Sequence, residues 1–158
     1  MRVALAGLAI ALSACVTRPV AYPQTLPEET GAAPNMSVYG AFDVTMTPIA
    51  GHPAQFSLAK SYSGPLEGTA TGTMLTAVTP VAGSAAYVAV ETFDGTLEGK
   101  RGTFQLVHRA IMDRGAQSLS IAVLPDSGTG ALRALTGDMA IEIDDAGGHF
   151  YVFNYRLP

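Results

Sequence analysis

Charge is scarce in this sequence. Asp, Glu, Lys and Arg make up 14% of its 158 residues, the formal net charge is -4, and no basic run occurs anywhere. Without clustered Lys and Arg nothing draws the chain to phosphate backbones or holds it electrostatically on anionic lipid, so no nucleic acid partner is expected. Cysteine is scarcer still: there is one, Cys15. That excludes an intrachain disulfide, a Cys-based zinc site and an iron–sulfur cluster, and leaves the domain to stand on packing alone. Histidine occurs only at His52, His108 and His149, too far apart in the chain for a metal-ligand spacing, so neither metal nor cofactor is expected. No serine sits in a Gly-x-Ser-x-Gly elbow, and Asp126-Ser127-Gly128 reads as a turn, which removes the case for nucleophilic hydrolysis.

What is present is 48% hydrophobic residues and 17 glycines, a balance that suits a compact sheet protein with many tight turns. The first residues have their own pattern. Arg2 supplies a positive start, and Val3 to Leu12 form an apolar run well short of the roughly 20 residues a membrane-spanning helix requires. The run ends in Leu12-Ser13-Ala14-Cys15, which resembles the bacterial lipobox, whose cysteine is acylated after cleavage. Residues 1–14 are therefore read as a lipoprotein signal peptide and Cys15 as the lipidation site. Val16, not Asp, follows the cysteine, which in a double-membraned bacterium predicts an outer membrane position facing the periplasm. From there to residue 37, Pro19, Pro23, Pro27 and Pro34 lie among Thr, Ala and Glu with no apolar period, as in an extended tether. The expected location is the cell envelope, with the protein anchored to the membrane through its N-terminal lipid.

Residues 38–158 read as one all-β domain. Eight runs rich in Val, Ile, Thr, Phe and Tyr, near 38–47, 55–63, 69–79, 84–94, 102–112, 117–125, 136–144 and 148–157, alternate with Gly, Pro and Asp punctuation. Short sequential connections imply antiparallel neighbours, and an even strand number lets the last strand close on the first. The spacing predicts an eight-stranded antiparallel up-and-down barrel, allene-oxide-cyclase-like or lipocalin-like. Gly64-Pro65-Leu66-Glu67-Gly68, Gly95-Thr96-Leu97-Glu98-Gly99 and Gly130-Ala131-Leu132 read as a hairpin unit used three times, its leucines capping one barrel end.

Tyr87-Val88-Ala89-Val90-Glu91, Gly102-Thr103-Phe104-Gln105-Leu106-Val107-His108, Gln117-Ser118-Leu119-Ser120 and His149-Phe150-Tyr151-Val152-Phe153-Asn154-Tyr155, with the Gly-rich segments above, resemble a bacterial domain-of-unknown-function family with an allene-oxide-cyclase-like β-barrel. The resemblance covers essentially all of residues 38–157. It implies a barrel with a central cavity, often oligomeric, and no established activity. Plant allene oxide cyclase closes an unstable epoxide in such a barrel, but this chain has no residue-by-residue match to that site. The leader and tether depart from the family's usual form.

Strand alternation places Phe56, Leu58, Lys60 and Tyr62 on one face, Tyr87, Ala89, Glu91 and Phe93 on another, and Phe104, Leu106, His108, Ala110 and Met112 on a third. Each otherwise apolar face carries one ionisable residue, the usual look of a small-molecule site. Lys60, Glu91, His108, Phe42 and Phe104 are therefore the candidate ligand contacts, and no catalytic residue is assigned. Hairpins symmetric about positions 66 and 81–82 put Lys60 opposite Gly72 and Gly72 opposite Glu91, two strand spacings or about 10 Å apart, a distance the two side chains can bridge across the missing one, so Lys60 and Glu91 are expected to meet inside the barrel. The same arithmetic puts His108 opposite Tyr87, about 13 Å along the strand from Glu91, so the three are not expected to form a triad. A plain buried ion pair competes with the ligand-site reading for Lys60 and Glu91. Tyr151, Phe153 and Tyr155 read first as core.

Three functions fit. The first is a tethered barrel binding one small apolar or amphiphilic molecule. The second is an isomerase or cyclase on a lipid-like substrate, polarised by Glu91 or Lys60. The third is a structural or interaction protein of the envelope, as a homo-oligomer with a lumen packed solid. A binding role is favoured over enzyme activity.

Overall fold

A computed structural model describes residues 35–158. Cys15, the signal segment and nearly all of the expected tether lie outside the described residues. Eight strands follow one another: β1 (Met36–Ile49), β2 (His52–Ser63), β3 (Leu66–Val78), β4 (Ala85–Leu97), β5 (Lys100–Asp113), β6 (Ala116–Val123), β7 (Thr136–Ile143) and β8 (His149–Arg156). Each pairs antiparallel with the next, and β8 pairs with β1, closing the barrel in simple sequential order. The expected architecture is the observed one.

β1 starts earlier than its composition suggests. Met36 and Ser37 pair with Tyr155 and Asn154, because the far end of β8 would otherwise present an unpaired edge. Inside, the period-two pattern governs burial: Gly102, Phe104, Leu106, His108 and Ala110 of β5 are buried in alternation with outward-facing neighbours. The β4–β5 and β5–β6 hairpins turn through two residues, Glu98-Gly99 and Arg114-Gly115, all four with positive φ. This is the type I′ geometry that matches strand twist, and glycine takes its second position without a Cβ penalty.

One connection is long. β6 stops at Val123, opposite Leu106, so the first half of β5 loses its partner on that side. The chain between β6 and β7 replaces it: Leu124 N–H donates to Gln105 O at 2.9 Å and Thr129 N–H to Thr103 O at 2.9 Å. Ser127 Oγ and Thr129 Oγ1 accept from the N–H groups of Gln105 and Thr103 at 3.0 Å each. A 3-10 turn at Gly130–Leu132 then drives Leu132 and Leu135 into the barrel. The third Gly-Ala-Leu segment is thus a turn within this connection and not a third hairpin, although its leucine does the expected work. Leu66, Leu97 and Leu132 are all fully buried and stopper the same end.

Candidate functional site

The lumen has two halves of different character. At the leucine-stoppered end it is packed with aromatic rings: Phe93 and Phe104 have centroids 4.9 Å apart, and Phe104 stacks on Phe153 at 5.8 Å and Phe153 on Tyr155 at 5.4 Å. Tyr151 accepts a hydrogen bond from Leu66 N–H at 2.9 Å and ties β8 to the β2–β3 turn. These rings are core, as their alternation suggests. Phe104 belongs with them, wholly buried in the packed half, and does not line the cavity at the other end.

The other half is not filled. A cavity of about 350 Å³ is walled by Phe42, Val44, Leu58, Ala89 and Leu119, with Met46, Met74, Met112 and Ile143 toward the rim. Met46 and Ile143 are 56% and 64% exposed, so the space opens to solvent between them. Three of the chain's six methionines line it, unbranched and polarisable side chains that adapt to the shape of an occupant. A depression of similar volume, about 380 Å³ beside Asn35, Asp138 and Asn154, is lined by no buried ionisable residue.

Where the two halves meet, three buried ionisable side chains and one phenol come together. Lys60 Nζ lies 2.8 Å from Glu91 Oε2, with both side chains withdrawn from solvent. Tyr62 OH donates to Glu91 Oε1 at 2.9 Å, and Lys60 Nζ makes a long 3.5 Å contact to the Tyr62 oxygen. His108 Nε2 stands 3.3 Å from Glu91 Oε1. The Lys60 and His108 approaches are close but off-angle, so Glu91 Oε2 and His108 Nε2 have charged or polar neighbours without a directed hydrogen bond. Lys60 Nζ also sits 4.9 Å from the centre of the Phe42 ring, in cation–π range.

Electrostatics favour an ionised Glu91. Burial by itself raises its carboxyl, but the contact from His108 and the positive charge of Lys60 outweigh that and bring it down to about 2. Tyr62 moves the opposite way: burial first, then the Glu91 charge beside it, push its phenol well above the usual value and keep it a neutral donor. The cluster is layered. Lys60 and His108 line the cavity, whereas Glu91 and Tyr62 do not.

Strand faces are as the alternation reads, but two registers differ. Lys60 pairs with Ala70, and Gly72 with Leu58, because the β2–β3 hairpin is centred on Pro65 and not on position 66. His108 pairs with Ala89 and not Tyr87, since the β4–β5 turn lies between Glu98 and Gly99. Each error is two residues, which leaves every side chain on its face and moves it about 7 Å along the strand. The expectation that Lys60, Glu91 and His108 form no common group is therefore overturned: all three meet. Gly72 does stand opposite Glu91. Phe42 lies in the cavity wall.

His149 was missed. It opens β8, half-buried, with its ring 5.2 Å from that of Phe42, and it lines the cavity. The signal was available, since His149 shares the odd-numbered inward face of Tyr151, Phe153 and Tyr155. His52 is exposed at the start of β2 and takes no part. Among the described residues no group of three or more His, Cys, Asp or Glu side chains is placed to hold a metal.

Comparison with known proteins agrees with this fold. The family model described as "Protein of unknown function (DUF3224)" matches residues 38–155. A crystal structure of a protein of unknown function from that family, from Shewanella oneidensis MR-1, is 40% identical and superposes with a TM-score of 0.75, covering 79% of this chain and 98% of that one. No curated protein matches the chain.

Proposed function

The chain belongs to the DUF3224 family, and we propose that its barrel binds one small amphiphilic molecule in the open half of the lumen, at the cell envelope, where lipid on Cys15 anchors it. The observation that carries the binding reading is a solvent-open apolar cavity of about 350 Å³ that ends on the buried Lys60–Glu91–His108 cluster. An apolar wall with a few convergent polar groups at one end is the usual constitution of a small-molecule site. A barrel serving only as scaffold gains by filling its lumen, as this one does at the leucine-stoppered end. The anchoring reading rests on Arg2, the apolar run Val3–Leu12 and Leu12-Ser13-Ala14-Cys15.

The test is calorimetric titration of the full-length protein with 1-octanol. Burial of its chain at roughly 0.8 kcal/mol per methylene gives about 6 kcal/mol, a dissociation constant of tens of micromolar. Saturable binding of one molecule is expected, and Ala89→Leu, which projects into the cavity, should abolish it while the melting temperature holds. No saturable uptake by the wild-type protein, or uptake unaffected by Ala89→Leu, would sink the reading.

A further inference from the structure

Resting on that reading, we propose that the occupant is a monoanionic medium-chain amphiphile, of the carboxylate class, with its head against Lys60 and His108 and its tail toward the methionine rim. The cavity lining contains no Asp or Glu and three basic side chains, Lys60, His108 and His149. The single buried acid among the described residues, Glu91, is paired with Lys60 and does not line the space. The ion pair is therefore a dipole whose positive end meets the lumen.

The Lys60 ammonium carries three N–H bonds and has two oxygen neighbours among the described residues, Tyr62 OH in a long hydrogen bond and Glu91 Oε2 close by without a directed one. At least one proton is left for an incoming acceptor. A carboxylate there gains a charge-assisted bond in surroundings of low dielectric, roughly twice as strong as the bond a neutral hydroxyl would make. An ammonium head would be repelled by Lys60 across the same medium. Size sets the rest: at the roughly 30 Å³ that one water occupies in liquid, the cavity takes about a dozen non-hydrogen atoms, the size of a carboxylate with eight to ten carbons. A longer chain would project past Met46 and Ile143 into water.

Octanoate, 1-octanol and octylammonium share a tail and differ in head, so titrating the full-length protein with each separates the head-group inference from the lumen reading. Octanoate should bind at least about tenfold tighter than octanol, and octylammonium more weakly than either. In the double variant Lys60→Met/Glu91→Gln, the preference for octanoate over octanol should disappear. In the unaltered protein the imidazole proton resonances of His108 and His149 should shift with octanoate and stay in place with octanol, which decides the matter even if the double variant fails to fold. Octanol binding as tightly as octanoate, or a preference that survives the double substitution, overturns the head-group assignment and leaves the lumen reading standing. If neither ligand binds, the lumen reading falls and this inference with it.

Discussion

Gly72 of β3 stands directly opposite Glu91 of β4, and a Cβ added to Gly72 would come within 2.8 Å of both Cα and Cβ of Glu91 and 2.3 Å of the Val90 carbonyl oxygen. The neighbour is mostly backbone, so it cannot swing aside as a flexible side chain would. Close approach of these two strands fixes the backbone from which the Glu91 carboxylate reaches Lys60, Tyr62 and His108. The gap in the sequence is thus a packing device for the site's central acid.

Gly72→Ala is expected to push β3 and β4 apart and to destabilise the barrel by about 1–3 kcal/mol, the usual range for overpacking. Urea unfolding followed by circular dichroism measures it. A midpoint equal to that of the wild-type protein would mean that the strands part at no cost and that Gly72 has no such role.

Acid should act on the same residue. Glu91 is depressed from 4.5 to about 2 in the folded protein, its burial being outweighed by His108 and Lys60. A folded value below the unfolded one means that the unfolded chain binds the proton first. The stabilisation is therefore complete above about pH 4.5 and is lost as pH falls through about 2, a total of roughly 3 kcal/mol at 1.36 kcal/mol per unit. The urea midpoint of the wild-type protein should fall across that window, and in Glu91→Gln this part of the fall should be missing. Equal acid profiles for the two proteins would refute the assignment.

How much was legible follows from what a strand's period can and cannot encode. Alternation alone put Lys60, Tyr62, Glu91 and His108 on inward faces, because a side chain's face depends only on odd or even position. Register depends on where each turn is centred, and Gly64-Pro65 and Glu98-Gly99 each shift it by two residues from the symmetric guess. Two residues are enough to hide the meeting of His108 with Glu91. Phe104 illustrates a different limit. Face says that a ring points inward, but which half of a barrel is packed depends on the Leu132 plug, set by a connection with no strand period of its own.

Cys15 should carry lipid. The apolar run before it cannot span a bilayer, and the four residues ending at Cys15 have the lipobox form. Mass spectrometry of protein extracted from membranes of an expressing bacterium should find an N-terminus at Cys15 bearing a diacylglycerol mass. Cys15→Ala should release the protein from the membrane without changing the unfolding midpoint, since the described barrel contains no cysteine. Unmodified Cys15 within a soluble mature chain would rule the anchor out.

The sharpest test of the cluster is energetic. Lys60→Met alone leaves the Glu91 carboxylate buried with Tyr62 and an undirected His108 contact, and should cost on the order of 3 kcal/mol. Glu91→Gln alone leaves the Lys60 ammonium with the Tyr62 oxygen and the Phe42 ring, and should cost a comparable amount. Together they remove both charges and keep an amide able to bond Tyr62, so the double variant should recover at least about 1 kcal/mol relative to the sum of the singles. The geometry makes the coupling direct: the charged atoms are 2.8 Å apart and neither side chain is more than 5% exposed, so solvent has little access to screen them. A surface pair would show almost no coupling, with a median near 0–1 kcal/mol even before screening by salt. Urea midpoints for the wild-type, two single and one double variants complete the cycle. Additive losses would mean that Lys60 and Glu91 are stabilised independently of one another, and the cluster would no longer be a unit that could present a charged end to the lumen.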